Sequence, residues 1–213
     1  MSSVTIIDYG VGNLMSAQRA FEAVGGHPVF SNDPEAIRNA ERLVLPGVGA
    51  FGNGMRELRS RGLVEALQAY ATCGRPLLGI CLGMQLMLEM GEEFGHHEGV
   101  GLLSGRVVAI PPMSDEGWKR RIPNIGWSRL CHAGDRSWDA TILDGLKPDE
   151  TSVYFVHSFM AVPDDPSWRL ADTVYDGVPL CAVFSRGMLH GCQFHPEKSG
   201  RAGLRILANF MKL

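Results

Sequence analysis

Cys81 is the residue whose surroundings best suit nucleophilic chemistry. It follows a buried-strand pattern that begins at Pro76 and precedes an apolar run, residues 82–90, that predicts an amphipathic helix. Gly79 and Gly83 flank it as in a nucleophile elbow, where the backbone bends so tightly that side chains at those positions would collide. Near a helix start, unpaired N–H groups and the helix dipole favour a thiolate. This spacing predicts a nucleophile, and the alternative is a small buried core residue.

His195 and Glu197 could supply a base and a carboxylate that orients it. They lie two residues apart, directly after the last strand pattern, with Pro196 between them. Side chains at this spacing can point the same way, so the carboxylate can hold one ring nitrogen while the other faces a thiol. An isolated His-Pro-Glu is usually only the end of a strand. Beside Cys81, it predicts a Cys-His-Glu triad.

Two glycine loops also follow strand patterns. In residues 46–49, Gly47 and Gly49 surround Val48, so the backbone could approach a ligand and a peptide could rotate at low cost. This suits an oxyanion hole made of main-chain N–H groups, and the alternative is an ordinary flexible loop. Residues 9–13 form the other loop, but Met15 stands where a dinucleotide site needs a third glycine. We interpret this loop as a tight turn that can face a ligand or partner.

Composition excludes several classes of protein. A net charge of −3 offers no basic surface for nucleic acid, and no apolar run is long enough to span a membrane. The chain starts without a basic segment or a cleavage site, which predicts a cytoplasmic protein. Five widely spaced cysteines without a C-x-x-C pair predict neither a disulfide framework nor a metal site.

The order of the elements predicts an α/β fold in a single domain, residues 1–213. Strand patterns at 4–8, 27–30, 42–45 and 76–80 alternate with helix patterns, the longest at 53–73, which predicts a mostly parallel central sheet flanked by helices. The C-terminal half is β-rich. Its strand patterns lie at 105–110, 122–127, 152–157, 171–175, 181–184 and 188–194. A helix over 200–211 closes the chain.

Three segments together resemble the class I (triad) glutamine amidotransferases, and the resemblance covers essentially the whole chain. They are GICLGMQ at 79–85, PGVG at 46–49 and QFHPEKS at 193–199. Within that family, residues 8–13, 123–128 and 154–158 look like those of the glutaminase subunit of imidazole glycerol phosphate synthase.

The resemblance implies a reaction and its residues. Cys81 would attack the side-chain amide of L-glutamine, His195 would activate the thiol and protonate the departing ammonia, and Glu197 would orient His195. A glutamyl thioester would form and be hydrolysed. The oxyanion would be held by the N–H of Leu82 and, after a peptide rotation between Gly47 and Gly49, by that of Val48. The residues around the bound glutamine would be Gln85, His157, Ser158 and Phe159.

The resemblance also implies a partner. Ammonia would pass to a (β/α)₈-barrel cyclase subunit in a heterodimer, which makes imidazole glycerol phosphate and an aminoimidazole carboxamide ribotide in histidine biosynthesis. No cofactor is implied. The residues that would face the cyclase are Asn13, Trp127, Tyr154 and Lys198.

Three different functions stay open beside this one. A paralogous subunit that supplies ammonia to a surface-sugar amidination synthase would use the same triad. Phe159, where the family often has tyrosine, and residues 124–128, which differ from the family's usual interface motif, bear on this choice. The second is a non-catalytic subunit that only binds a partner, and the third is a cysteine hydrolase or peptidase on the same scaffold.

Overall fold

A central sheet of eight strands organises the residues that the computed structural model describes, 2–114 and 116–213. The strands in chain order are β1 (Ser3–Ile7), β2 (His27–Ser31), β3 (Leu43–Leu45), β4 (Leu77–Ile80), β5 (Leu88–Gly91), β6 (His97–Glu98), β7 (Leu103–Ala109), β8 (Asn124–Arg129), β9 (Cys131–His132), β10 (Ser152–His157), β11 (Phe159–Pro163), β12 (Arg169–Tyr175), β13 (Val178–Arg186) and β14 (Leu189–Cys192). The central order is β2-β1-β3-β4-β14-β13-β12-β9. The first five strands run parallel, and the last three add antiparallel pairs.

Helices pack against both faces of this sheet. They are α1 (Leu14–Ala23), α2 (Pro34–Asn39), α3 (Phe51–Ser60), α4 (Leu63–Thr72), α5 (Leu82–Leu86) and α6 (Gly200–Phe210). Side chains alternate along β3, so Leu43 and Leu45 pack with α2, α3 and α4 on one face while Val44 packs with α1 and α6 on the other. Burial on both faces explains why β3 and β4, in the middle of the sheet, are continuous apolar runs. The prediction of an α/β fold with a largely parallel sheet flanked by helices is confirmed.

Two predicted helices were wrong in extent. The helix predicted over 53–73 is two helices, because Gly62 adopts a left-handed conformation with φ 63° between α3 and α4. The helix predicted over 82–90 ends at Leu86, and the chain enters β5 at Leu88. All residues of α5 are buried, so this apolar run is a fully enclosed short helix instead of an amphipathic one.

Two smaller sheets carry much of the β-rich half. β8 pairs with β10, and a four-stranded sheet has the order β11-β7-β5-β6. His157 ends β10 and Phe159 begins β11, so the chain passes from one small sheet to the other at Ser158. Among the described residues, no helix is both long and apolar enough to cross a membrane.

Candidate active site

Four neighbouring parallel strands end at one edge of the central sheet and bring the predicted residues together. Tyr9 lies beyond β1, Gly47 beyond β3, Cys81 directly after β4 and His195 beyond β14. These strands are adjacent in the order β1-β3-β4-β14. Because the carboxyl ends of parallel strands meet at the same edge, residues distant in sequence share one site.

Cys81 occupies a sharp turn between β4 and α5. Its backbone has φ 53° and ψ −110°, a region that residues other than glycine rarely adopt. A Cβ on Gly79 would lie 2.7 Å from the backbone of Met84, and one on Gly83 would lie 1.8 Å from the carbonyl oxygen of Leu45. Both flanking glycines are therefore required by sterics, as the elbow pattern predicts.

His195 and Glu197 form a buried pair beside this turn. Nδ1 of His195 lies 2.7 Å from Oε1 of Glu197, and the two side chains are 2% and 4% exposed. The short 3₁₀ helix Pro196–Lys198 makes this geometry possible, because it turns the carboxylate back toward the ring. Ser199 also holds the turn, since its hydroxyl donates to the carbonyl oxygen of His195 at 2.7 Å.

The second ring nitrogen of His195 lies on the side of Cys81. Burial lowers the pKa of His195, but hydrogen bonding and negative charge from Cys81 and Glu197 outweigh it and raise the pKa to about 9. Within residues 2–114 and 116–213, Nε2 has no partner of good hydrogen-bond geometry. Catalytic hydrogen bonds in a free enzyme are often poorly aligned and tighten when substrate binds.

A cavity of about 430 Å³ opens above Cys81 and is large enough for an amino acid. It is lined by Val48, Gly49, Ala50, Cys81, Leu82, Gln85, Glu93, Pro123, Val156, His157, Ser158, Phe159 and His195. All four residues predicted around glutamine lie in this wall. A second cavity of about 10 Å³ shares His195 and Val48 with it and is also lined by Asn13, Gly47 and Glu197, among others.

Gln85 belongs to a buried chain of hydrogen bonds that ends at the sulfur. Its Nε2 donates to Oε1 of Gln193 at 2.9 Å and to the carbonyl oxygen of Phe159 at 3.1 Å. Nε2 of Gln193 in turn lies 3.9 Å from Sγ of Cys81 and donates to it. Gln193 belongs to the sequence motif at 193–199 but had no predicted role. Its hydrogen bond to the sulfur is visible only in the folded structure.

His157 contacts the cavity as a neutral ring. Its Nδ1 donates to the carbonyl oxygen of Phe159 at 2.9 Å, so Nε2 is left to accept from Nδ2 of Asn124 at 3.0 Å. Burial lowers the pKa of His157 to about 4. Both ring nitrogens therefore have partners inside the protein, and the ring faces of His157 are what it can offer a ligand.

The glycine loop 46–49 packs directly against the elbow. A Cβ on Gly47 would lie 2.8 Å from Cβ of Leu82 and 2.9 Å from the nitrogen of Gly83. Leu82, the first residue of α5, has an N–H with no partner inside the helix. Within the described part of the chain, the N–H groups of Val48, Gly49 and Ala50 donate to no protein atom. This edge of the cavity thus offers several free main-chain donors.

Glu93 is a cavity residue that the sequence pattern did not reveal. Its Oε2 accepts from the N–H of Phe51 at 2.6 Å, at the start of α3, whose cap residue Ala50 makes no side-chain cap bond. Glu93 lies in a turn after β5, and no local pattern connects it to residues 46–51. Nothing in the sequence therefore indicated that Glu93 would contact the start of α3.

Of the four predicted partner-facing residues, Asn13 lines the small cavity, and the other three lie at or beside the turn that carries His195 and Glu197. Asn13 caps α1 by accepting from the N–H of Ser16 at 3.4 Å and remains exposed, as does Lys198. The Trp127 ring is 59% exposed and packs edge-to-face on Tyr154, with ring centroids 6.1 Å apart. Two apolar side chains not predicted, Ile125 and Met15, are also more than half exposed.

The model of the family glutamine amidotransferase class-I matches residues 5–213. The chain belongs to this family. A protein from Legionella pneumophila (strain Lens), named imidazole glycerol phosphate synthase subunit HisH 1, is 50% identical over 214 residues, which cover 100% of both chains. One from Syntrophotalea carbinolica, with the name imidazole glycerol phosphate synthase subunit HisH, is 46% identical over 97% of this chain and 98% of its own.

The fold of this class-I amidotransferase is also found in solved structures. The structure of PurLQS from Thermotoga maritima contains a chain that matches with a TM-score of 0.75, 18% identity, and coverage of 100% of this chain and 99% of that one. Identity this low supports the fold alone. The resemblance inferred from the sequence motifs is confirmed by the family match and by the full-length relatives.

Proposed function

We propose that this chain is the glutaminase subunit of an imidazole glycerol phosphate synthase, a single domain that hydrolyses L-glutamine and passes ammonia to a cyclase subunit. The observation that carries the proposal is the buried His195–Glu197 pair beside the elbow cysteine, in a cavity of amino-acid size. A chain that had lost its chemistry would be free to lose a triad member, whereas here all three are present.

The reaction uses Cys81 and His195 in two stages. Sγ of Cys81 attacks the side-chain carbonyl carbon of glutamine, and the negative charge moves to the amide oxygen. As the C–N bond breaks, the His195 imidazolium gives its proton to the leaving nitrogen and ammonia departs. Water then attacks the thioester, His195 takes its proton, and the C–S bond breaks to release glutamate. Glu197 orients His195 throughout.

The surrounding backbone and side chains hold the substrate. The N–H groups of Leu82 and, after rotation of its peptide, Val48 donate to the oxyanion, for which Gly47 and Gly49 give the necessary freedom. Gln85, whose amide nitrogen is already engaged, offers its oxygen to the substrate's ammonium group. His157 and Phe159 form the apolar wall, and Ser158 supplies a polar group between them.

The partner we propose is a (β/α)₈-barrel cyclase subunit that docks over Asn13, Trp127, Tyr154 and Lys198 to form a heterodimer. An exposed tryptophan beside exposed Ile125 is typical of a protein interface, and Lys198 adds a charge at its rim. We also propose that the protein acts in the cytoplasm, since five free thiols suit a reducing compartment. Full-length relatives with histidine-pathway names favour this partner over a surface-sugar synthase.

Glutamate release by the purified chain mixed with the histidine-pathway cyclase tests the proposal. We expect Cys81→Ala to lose at least about 1,000-fold in kcat, because no other thiol lies in the cavity wall. Cys73→Ala is the control, since Cys73 is exposed and outside the cavity. Activity that survives in Cys81→Ala would refute the mechanism. Formation of imidazole glycerol phosphate by the mixture identifies the acceptor, and ammonia transfer only to a surface-sugar synthase would refute the pathway.

A further inference from the structure

Tyr9 makes a buried hydrogen bond to the loop that carries Val48. Its side chain is completely buried, and its hydroxyl donates to the carbonyl oxygen of Pro46 at 2.8 Å. The same hydroxyl would be only 2.7 Å from a Cβ on Gly47. The peptide between Pro46 and Gly47 is therefore held at its oxygen by Tyr9, and Leu82 and the backbone of Gly83 also pack closely against Gly47.

The other end of this loop is held in a different way. Glu93 accepts from the N–H of Phe51 at 2.6 Å and so fixes the peptide between Ala50 and Phe51. Between these two fixed peptides, the N–H groups of Val48, Gly49 and Ala50 donate to no atom of the described chain. Gly49 has φ +92°, a conformation that glycine adopts readily, and a Cβ built on it would meet nothing within 4 Å. Freedom of motion is thus confined to a stretch of three peptides.

We propose that Tyr9 is a positioning residue for the oxyanion hole. Its hydroxyl holds the peptide that precedes Gly47, so that the peptide of Val48 rotates about a fixed point and its N–H arrives beside that of Leu82. This inference rests on the proposed glutaminase function. A hydrogen-bond donor helps an oxyanion only when it is held in place before charge develops, and the hydroxyl of Tyr9 supplies this at the start of the loop.

Tyr9 also lies close to the proposed docking surface. Tyr9 and Asn13 belong to one short loop between β1 and α1, and Asn13 lines the small cavity together with Gly47 and Val48. A partner that contacts Asn13 therefore touches the loop that holds Pro46. Removal of the Tyr9 hydroxyl should then lower the activity reached with the partner.

Tyr9→Phe tests the proposal, and Tyr70→Phe is a matched control. Tyr70 is also completely buried, and its hydroxyl donates to the carbonyl oxygen of another proline, Pro76, at 2.9 Å. That bond lies at the start of β4, at the opposite end of the strand from Cys81. Both variants lose one buried hydroxyl bonded to a proline carbonyl, so general destabilisation should lower their thermal midpoints by similar amounts.

Kinetics with the cyclase present give the first measurement. We expect Tyr9→Phe to lower kcat for glutamine about 10-fold, less than the loss of an oxyanion donor itself, with KM changed less than about twofold. Alkylation of Cys81 by iodoacetamide, followed by mass of the Cys81 peptide, should stay within about twofold of the parent, because this displacement forms no oxyanion. Tyr70→Phe should keep the parent kcat. Equal kcat in the two variants, or alkylation that falls together with kcat, would overturn the proposal.

Hydrogen–deuterium exchange of the free chain gives a measurement independent of catalysis. We expect faster exchange over residues 46–51 in Tyr9→Phe and no change there in Tyr70→Phe. Unchanged exchange in Tyr9→Phe would overturn the role of Tyr9. If the parent protein were inactive with every partner while exchange changed as expected, the proposed function would fail and the placement of Tyr9 would stand.

Discussion

His157 and His195 are both buried, yet they carry different charges at neutral pH. Burial lowers the pKa of His157 to about 4, and its neighbours are an amide and a carbonyl. The same effect of burial acts on His195, but Cys81 and Glu197 raise its pKa to about 9. The neighbours of a buried histidine, more than its burial, therefore decide whether its ring is charged at neutral pH, as in His195, or neutral, as in His157.

The raised pKa of His195 predicts the pH dependence of glutamine hydrolysis. The imidazolium that we propose protonates the leaving nitrogen persists below about pH 9 and is lost above it, so kcat/KM should fall as pH rises through that value. Glu197→Gln removes one of the groups that favour the imidazolium, so this alkaline limb should move to lower pH. Profiles measured from below pH 6.5 to above pH 9 check both expectations.

Glu150→Gln is a suitable control for that profile. Glu150 pairs with Lys147 at the surface, and both side chains are more than two-thirds exposed. Its loss should leave the alkaline limb in place. An alkaline limb at the same pH in Glu197→Gln and in the parent protein would contradict the role given to Glu197.

Residue types and spacing were enough to predict the residues that we propose react, but not the contacts that hold the residues of the site in place. Cys81 and His195 stand beside glycine and proline signals that mark a strand end. Tyr9 is 37 positions from its acceptor, Pro46, and Gln193 is 108 from Gln85. No local pattern encodes such pairs, because they arise only when parallel strands align their ends.

At the scale of elements, the glycines of the elbow decide how closely β3, β4 and α5 approach. Gly79 and Gly83 admit the backbone of Met84 and the carbonyl of Leu45 at distances where a methyl group would overlap. α5 is thus pressed against the end of β3, and the free N–H of Leu82 lies beside the loop after that strand. The close contact between α5 and the carbonyl oxygen of Leu45 is possible only because Gly83 has no side chain.

Gly83→Ala should destabilise the protein by about 3 kcal/mol or more, because its new Cβ would lie 1.8 Å from a backbone oxygen that cannot move easily. Gly74→Ala is the control. Gly74 has φ +66° but nothing within 4 Å, so its replacement should cost only about 1 kcal/mol of backbone strain. Urea unfolding measures both, and equal losses would show that Gly83 is not sterically required.

The central parallel strands β3 and β4 could be predicted because burial on both faces leaves an apolar signature. Helix boundaries were harder to predict from the sequence. Gly62 could equally have been a tolerated helix glycine, and its left-handed backbone ends α3 instead. The strand β5 was missed because its pairing with β7, from Leu88 to Leu103, depends on residues outside its own segment.

At the scale of the whole molecule, one edge of the sheet carries chemistry and its neighbourhood carries exposed apolar side chains. Ile125 and Trp127 alternate along β8 and point to the same side, each 59% exposed. The carboxylate-bearing turn after β14 contacts this region, because the N–H of Tyr154 donates to Oγ of Ser199 at 3.0 Å. The strand that carries part of the proposed docking face is therefore hydrogen-bonded directly to the turn that carries the triad.

Trp127→Ala should weaken binding of the cyclase about 30-fold, as for a central interface aromatic worth about 2 kcal/mol. Trp168→Ala is the control. The Trp168 ring packs under the guanidinium of Arg186, which pairs with Leu189 at the start of β14, the opposite edge of the sheet. Titration by calorimetry measures both affinities. Equal affinity in Trp127→Ala and the parent protein would show that the cyclase docks elsewhere.

The two cavities that share His195 and Val48 differ so much in volume that they would separate the two products of glutamine hydrolysis by size. The smaller, about 10 Å³, has room for about one water-sized molecule, which fits ammonia but not glutamate. Glutamate must leave through the wide opening by which glutamine came in. Of the two products, only ammonia is small enough to enter the cavity that Asn13 lines, so the two halves of the substrate need not leave by the same opening.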